Sequence, residues 1–260
     1  GLDPLLASIS SVDSVYDARR LMPGEGGAQL KRRVSRDERA TLSIFATLEV
    51  SFDASSSIER RGTMSAVSLD LTPKGSVEIE TLVNGPIQTN SYAVISDNEC
   101  VIIDPAWEGE RLVEHIRAEH PGVRVLGAVC THGHADHVGG VAGVRTTVGE
   151  GCRYELCAKD VAVPHANIEE QRAMWGIETP DPGEPTRLLA EGDAIEVGDI
   201  CLQVIETPGH TPGGIVLFAA TEQGNIAFVG DTLFPGSHGR TDLAGGDEAA
   251  ILRSLSKLAR

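Results

Sequence analysis

The sequence predicts an α/β domain in which sheets pack face to face with helices outside, and three observations carry that expectation. Strand-length apolar runs recur from residue 77 onward, each bounded by turn residues. Helix-like stretches punctuate these runs without strict βα alternation, a pattern suited to sheet-on-sheet packing. One apolar run, residues 123–130, leads directly into a cluster of histidines.

Taken in order, residues 77–83, 92–96 and 100–104 read as three consecutive strands with turns between them. Residues 108–120 read as a helix, because Leu112, Val113 and Ile116 share one face and Pro121-Gly122 ends the pattern. Residues 123–130 are a buried strand. Residues 164–187, with Met174, Trp175 and several prolines, read as a long connection, either a surface crossover or one wall of a pocket. Residues 194–205 alternate as a strand or hairpin arm, 214–220 and 225–230 are two further strands, and 247–259 begin a helix.

The 260 residues carry a net charge of −16, with 41% hydrophobic and 23% charged side chains, an ordinary composition for a soluble globular chain. No apolar run is long enough to cross a membrane as a helix, and no secretory signal pattern opens the chain, so a cytoplasmic location is expected. Strong acidity disfavours nucleic acids and anionic membranes as partners. Cys100, Cys130, Cys152, Cys157 and Cys201 form no CxxC pair and read as reduced, buried apolar side chains.

Residues 1–63 hold as many basic as acidic side chains, so the whole −16 belongs to residues 64–260. The first segment also contains Gly24-Glu25-Gly26-Gly27, the basic run Lys31-Arg32-Arg33 and a serine tract at 55–57. Its one ordered-looking stretch, 42–52, alternates as a single strand, which cannot bury its own face. Residues 1–63 are therefore expected to be an extraneous or poorly ordered extension outside the catalytic domain, with Met64 as a candidate start of the domain at 64–260.

The strongest signal is Thr131-His132-Gly133-His134-Ala135-Asp136-His137-Val138-Gly139-Gly140. An HxHxDH pattern arises by chance in a chain of this composition with odds on the order of 10⁻⁴ to 10⁻³. His132 and His134, two apart at the end of a strand, can point the same way. Asp136 and His137 follow at a glycine-bracketed turn and can face an adjacent point. Imidazole and carboxylate donors suit zinc, and iron or manganese nearly as well. Two further segments fit the same site. Thr207-Pro208-Gly209-His210-Thr211-Pro212-Gly213-Gly214 sets His210 in a stiff turn after a strand. Phe228-Val229-Gly230-Asp231-Thr232 places Asp231 at the end of an apolar strand, where a carboxylate calls for a cation.

Together, THGHADHVGG, TPGHTPGG and VGDTLFPGSHGRTDL resemble the metallo-β-lactamase superfamily, specifically its short, glyoxalase II-like hydrolases. The resemblance spans about residues 77–260. It implies a four-layer αβ/βα sandwich with two metals, expected to be Zn²⁺, at one edge between the sheets. It also implies that one metal takes His132, His134 and His210, that the other takes Asp136 and His137, and that Asp231 bridges them. Asp104, in Ile103-Asp104-Pro105, matches the family's early aspartate, which supports the ligands from behind; Ala106 stands where glycine is usual. The family's later Pro-Gly-His-Gly turn, which completes the second metal site, has no counterpart before Arg260, so the domain is expected to be C-terminally incomplete. His115, His120, His165 and His238 are expected to be solvated rather than substitutes.

The activity implied is hydrolysis of a thioester of a small thiol, by attack of a metal-bound hydroxide that Asp136 helps to steer. A thiol leaving group has a pKa of about 8.5, so no general acid is required. The alternatives are a mono-iron persulfide dioxygenase using His132, His210 and Asp231, a lactonase, and an inactive truncated product that binds metal as a remnant. Oligomeric state is not legible.

Overall fold

The computed structural model describes residues 69–259; the strand expected over 42–52 and the boundary expected between 63 and 64 lie outside the described residues. Strands β1 (Glu78–Asn84), β2 (Thr89–Ser96) and β3 (Glu99–Ile103) form an antiparallel meander. Strands β4 (Arg124–Val129), β5 (Arg153–Cys157) and β6 (Arg187–Leu189) then add in parallel, giving a six-stranded sheet in sequential order. Parallel pairing requires crossovers. These are supplied by helix α1 (Gly109–Glu119), by the pair α2 (Ala135–Val138) and α3 (Val141–Val148), and by α4 (Val163–Trp175). A second, antiparallel sheet has the order β10-β9-β8-β7, from β7 (Ala194–Val197), β8 (Ile200–Glu206), β9 (Ile215–Thr221) and β10 (Gly224–Phe228). Helix α5 (Glu248–Leu258) follows it, opened by Asp247, whose side chain accepts from the Ala250 amide at 2.9 Å.

Alternation along the strands builds the layers. Val94, Val101, Ile103, Leu202, Val204 and Leu217 enter the core between the sheets. Their neighbours Ala93, Ile95, Cys100 and Ile102 face the opposite way, onto Val113 and Ile116 of α1 and Val141 and Val144 of α3. On the far face of the second sheet, Ile205, Val216 and Phe218 gather with Leu258 of α5. The order is helix, sheet, sheet, helix: the four-layer sandwich expected. Each large aliphatic side chain removed from water contributes about 1.5–3 kcal/mol, so the inter-sheet and helix–sheet clusters are both major sources of stability. All five cysteines are free, and four of them are buried. Among the described residues no helix is long and apolar enough to cross a membrane.

Three expectations are corrected. Residues 164–187 are not one irregular connection, since most of the first half is helix α4. Its buried positions include the polar Asn167 and Gln171, so no apolar stripe announces it. Residues 194–205 are two strands, β7 and β8, rather than one. His115 and His120 are not free in solvent: their Nε2 atoms lie 2.8 and 3.3 Å from the two carboxylate oxygens of Glu80 on β1, and all three side chains are half-buried.

Candidate metal centre

The end of β4 delivers the histidine motif to the edge between the sheets. Thr131 turns the chain there, its amide and hydroxyl each donating to Asp104, at 2.7 Å to Oδ1 and Oδ2. Asp104 itself sits just past β3 with φ at 48°, a left-handed backbone that a non-glycine residue adopts only under constraint. The constraint is visible: its amide donates to Val129 O at 3.1 Å and its carbonyl accepts from the Ser91 hydroxyl at 2.6 Å. The Asp104 carboxylate also meets His137 Nδ1 at 2.9 Å, which leaves Nε2 of His137 facing the site. His210 is held in the same manner from the other sheet, its Nδ1 donating to the carbonyl of Arg240 at 2.7 Å.

The remaining ring nitrogens converge. His134 Nδ1 lies 2.9 Å from His210 Nε2. Among the described residues, His132 Nε2 is buried with no hydrogen-bond partner. Asp231 turns Oδ1 to within 3.3 Å of His137 Nε2 and Oδ2 to within 3.4 Å of His210 Nε2. Asp136 Oδ2 is 3.5 Å from His137 Nε2. Two donor groups result, His132 with His134 and His210, and His132 with His137 and Asp231; within each, the donor atoms all lie within 4.8 Å of one another. All the candidate ligands are thus brought to one place, with Asp136 at the margin of the second group.

The electrostatics fit cations. Burial and the neighbouring imidazoles push His132 far below the usual histidine range and His134 down to about 3, so both rings are neutral donors. His137 goes the other way: burial opposes its charge, but the Asp104 and Asp231 carboxylates outweigh that and raise it. Asp231 is lowered, since His137 and His210 overcome the effect of its burial. An orphaned buried nitrogen, two facing imidazole nitrogens and a carboxylate reaching toward both groups are a donor set for zinc or iron.

The family model of the metallo-beta-lactamase superfamily matches residues 84–260. The chain belongs to that superfamily. It is 34% identical over 172 residues to the probable metallo-hydrolase YqgX of Bacillus subtilis, covering 66% of this chain and 78% of that one. It is 31% identical over 181 residues to the hydroxyacylglutathione hydrolase GloC of Haemophilus influenzae, covering 69% and 82%. The crystal structure of TTHA1623 in a di-iron-bound form matches with a TM-score of 0.59 and 34% identity, over 69% of this chain and 85% of that one. Membership places the chain among metal-dependent hydrolases.

Within this superfamily fold, three residues at the site escaped the sequence reading. Asp160, in the single 3₁₀ turn after β5, is fully buried. It accepts from the Gly133 amide at 2.9 Å, the Thr211 hydroxyl at 2.7 Å and the Gly213 amide at 2.5 Å. Burial raises its carboxyl against those three donors. Its local sequence gives little signal, because β5 carries Arg153 and Glu155 and Asp160 stands beyond the strand, at the end of the turn. Asn167 of α4 accepts from the Ala135 amide at 2.8 Å, and Gln171 one turn later donates to Asp136 at 3.4 Å. Nothing in their pattern marks these two. Residues 164–187 do contribute to a wall: Gln171 and Ile177 line a crevice together with Asp136, Pro86, Ile87 and Trp107. The side chains of Met174 and Trp175 lie outside the described residues. His165 pairs with Asp181 and His238 with Glu248, and neither joins a donor group among the described residues.

Proposed function

We propose that the chain is a thioester hydrolase acting on an acyl ester of a small thiol, in the manner its relative from Haemophilus influenzae is named for. The observation that carries this reading is the paired donor set, with Asp231 placed between its two halves. His132, His134 and His210 would hold one metal, and His137, Asp231 and Asp136 the other, zinc being the first choice. Such metals supply Lewis acidity and bring the pKa of water down toward about 7. Asp104 and the Arg240 carbonyl keep His137 and His210 in the tautomer that turns Nε2 inward. Asp136 would accept and direct a proton at Oδ2, while Gln171 restrains Oδ1. The departing thiolate needs no proton donor, since its parent thiol ionises near 8.5.

One observation favours a second reading: the sequence points to His132, His210 and Asp231, whereas the donor atoms gathered in the structure are those of His132, His137 and Asp231, again a two-histidine, one-carboxylate set, the donor set of non-haem iron oxygenases. Elemental analysis of purified protein beside hydrolysis of S-lactoylglutathione separates the two. Zinc with thioester turnover supports the hydrolase. Iron with oxygen uptake on glutathione persulfide replaces it with a dioxygenase, and ring-opening of an acyl-homoserine lactone without thioester turnover replaces it with a lactonase.

A further inference from the structure

The ligands of the three-histidine group come from different sheets. His132 and His134 follow β4 of the six-stranded sheet, whereas His210 lies between β8 and β9 of the four-stranded one. Something must hold those two loops at a constant separation, and a single carboxylate touches both. Asp160 Oδ2 accepts from Gly133, the residue between His132 and His134, and from the hydroxyl of Thr211, the residue after His210. Its Oδ1 accepts from Gly213, two residues further along the second loop. The approach is close enough to exclude side chains at both glycines. A Cβ on Gly133 would lie 2.9 Å from Val163 Cβ and 3.1 Å from the Asp160 carbonyl, and one on Gly213 would lie 2.7 Å from the Asp160 amide and Oδ1. Asp160 and Thr211 are both fully buried, so no water competes for these bonds.

We propose that Asp160 is a positioning residue that sets the distance between the His132–His134 turn and the His210 turn, and thereby the affinity and geometry of the three-histidine metal site. The inference rests on the reading that those histidines hold a metal. It does not depend on which substrate is hydrolysed. Thr211 is the second half of the device, because its hydroxyl is the contact nearest to His210 along the chain.

Cobalt(II)-loaded full-length protein provides the test, with affinity measured by chelator competition and geometry by visible ligand-field absorption. Asp160→Asn keeps the shape but turns an NH₂ toward either the Gly133 or the Gly213 amide, and Thr211→Val removes one bond without changing volume. Both should weaken cobalt binding about 10–100-fold and shift the absorption bands, while Thr211→Ser restores affinity and spectrum together. Wild-type affinity and spectrum in both variants, whatever happens to Tm, would reduce Asp160 to a fold-stabilising group and overturn the proposal. If Asp160→Asn does not fold, Thr211→Val against Thr211→Ser decides. Wild-type protein that binds cobalt but hydrolyses no thioester defeats the functional reading alone. Wild-type protein that binds none defeats both.

Discussion

On the six-stranded side of the site, four candidate ligands leave one strand within a six-residue stretch, and the buried carboxylates Asp104 and Asp160 hold their loop. On the four-stranded side, His210 and Asp231 come from two separate loops, and His210 is held by a backbone carbonyl, that of Arg240. The first region depends on side chains that mutation can remove. In the second, the His210 ring is oriented by a main-chain carbonyl, which mutation of a side chain leaves largely in place, although its turn also leans on Asp160 through Thr211 and Gly213. The two halves should therefore respond differently to substitution.

The largest effect is expected where the halves meet. His132 belongs to both donor groups, so His132→Ala should release metal and lower hydrolysis by about 10³-fold or more; near-normal metal content and turnover would break the site as described. Next comes acidification of the chelator-treated protein. His134 titrates near 3 when folded and near 6.5 when unfolded, so the unfolded chain binds the extra proton between those values. Stability should fall by a few kcal/mol as pH drops through that interval. His132, lowered likewise, adds to that slope, whereas His137, raised above its ordinary value, opposes it only near the top of the interval, where the unfolded imidazole is half-protonated. Denaturant midpoints should thus shift with pH in the parent and less steeply in His134→Gln; parallel curves would refute this.

Asp104→Asn sharpens the comparison itself. It disturbs the support of His137 and a buried bond from Thr131, and should lower metal affinity about 10–100-fold. The smallest effect belongs to the opposite side: Arg240→Ala removes an exposed side chain that forms an ion pair with Asp242 but keeps the carbonyl that His210 uses. Its Tm and metal affinity should stay close to those of the parent, because an exposed, solvent-screened ion pair contributes little. Equal losses in the two variants would erase the distinction between the halves.

The same contrast explains what was legible in the sequence. His132, His134, Asp136 and His137 stand in one short motif after an apolar strand, and His210 and Asp231 each end a strand in a glycine-rich turn, so local pattern suffices. Strands β2, β3, β4, β9 and β10 alternate or run apolar and were equally readable. Helix α4 was not, because its buried positions include amides that serve the site rather than the core. Strand β6 is three residues long and carries too little pattern to register. Asp160 gains its meaning only when residues 27, 51 and 53 positions away fold around it, a relation that periodicity does not contain.

His132 has one unpartnered ring nitrogen, and one lone pair serves one ion at a time. The ion that claims it together with His134 and His210 would have a nitrogen-rich environment, with Asp231 Oδ2 reaching it from the side of His210. The other place is left with His137 and the oxygens of Asp231 and Asp136. Two coordination positions a few ångströms apart thus differ in hardness, one suited to borderline metals and the other more tolerant of oxygen-seeking ones. Unequal occupancy of the two positions is the outcome that asymmetry would give, and metal analysis of the purified protein would read it.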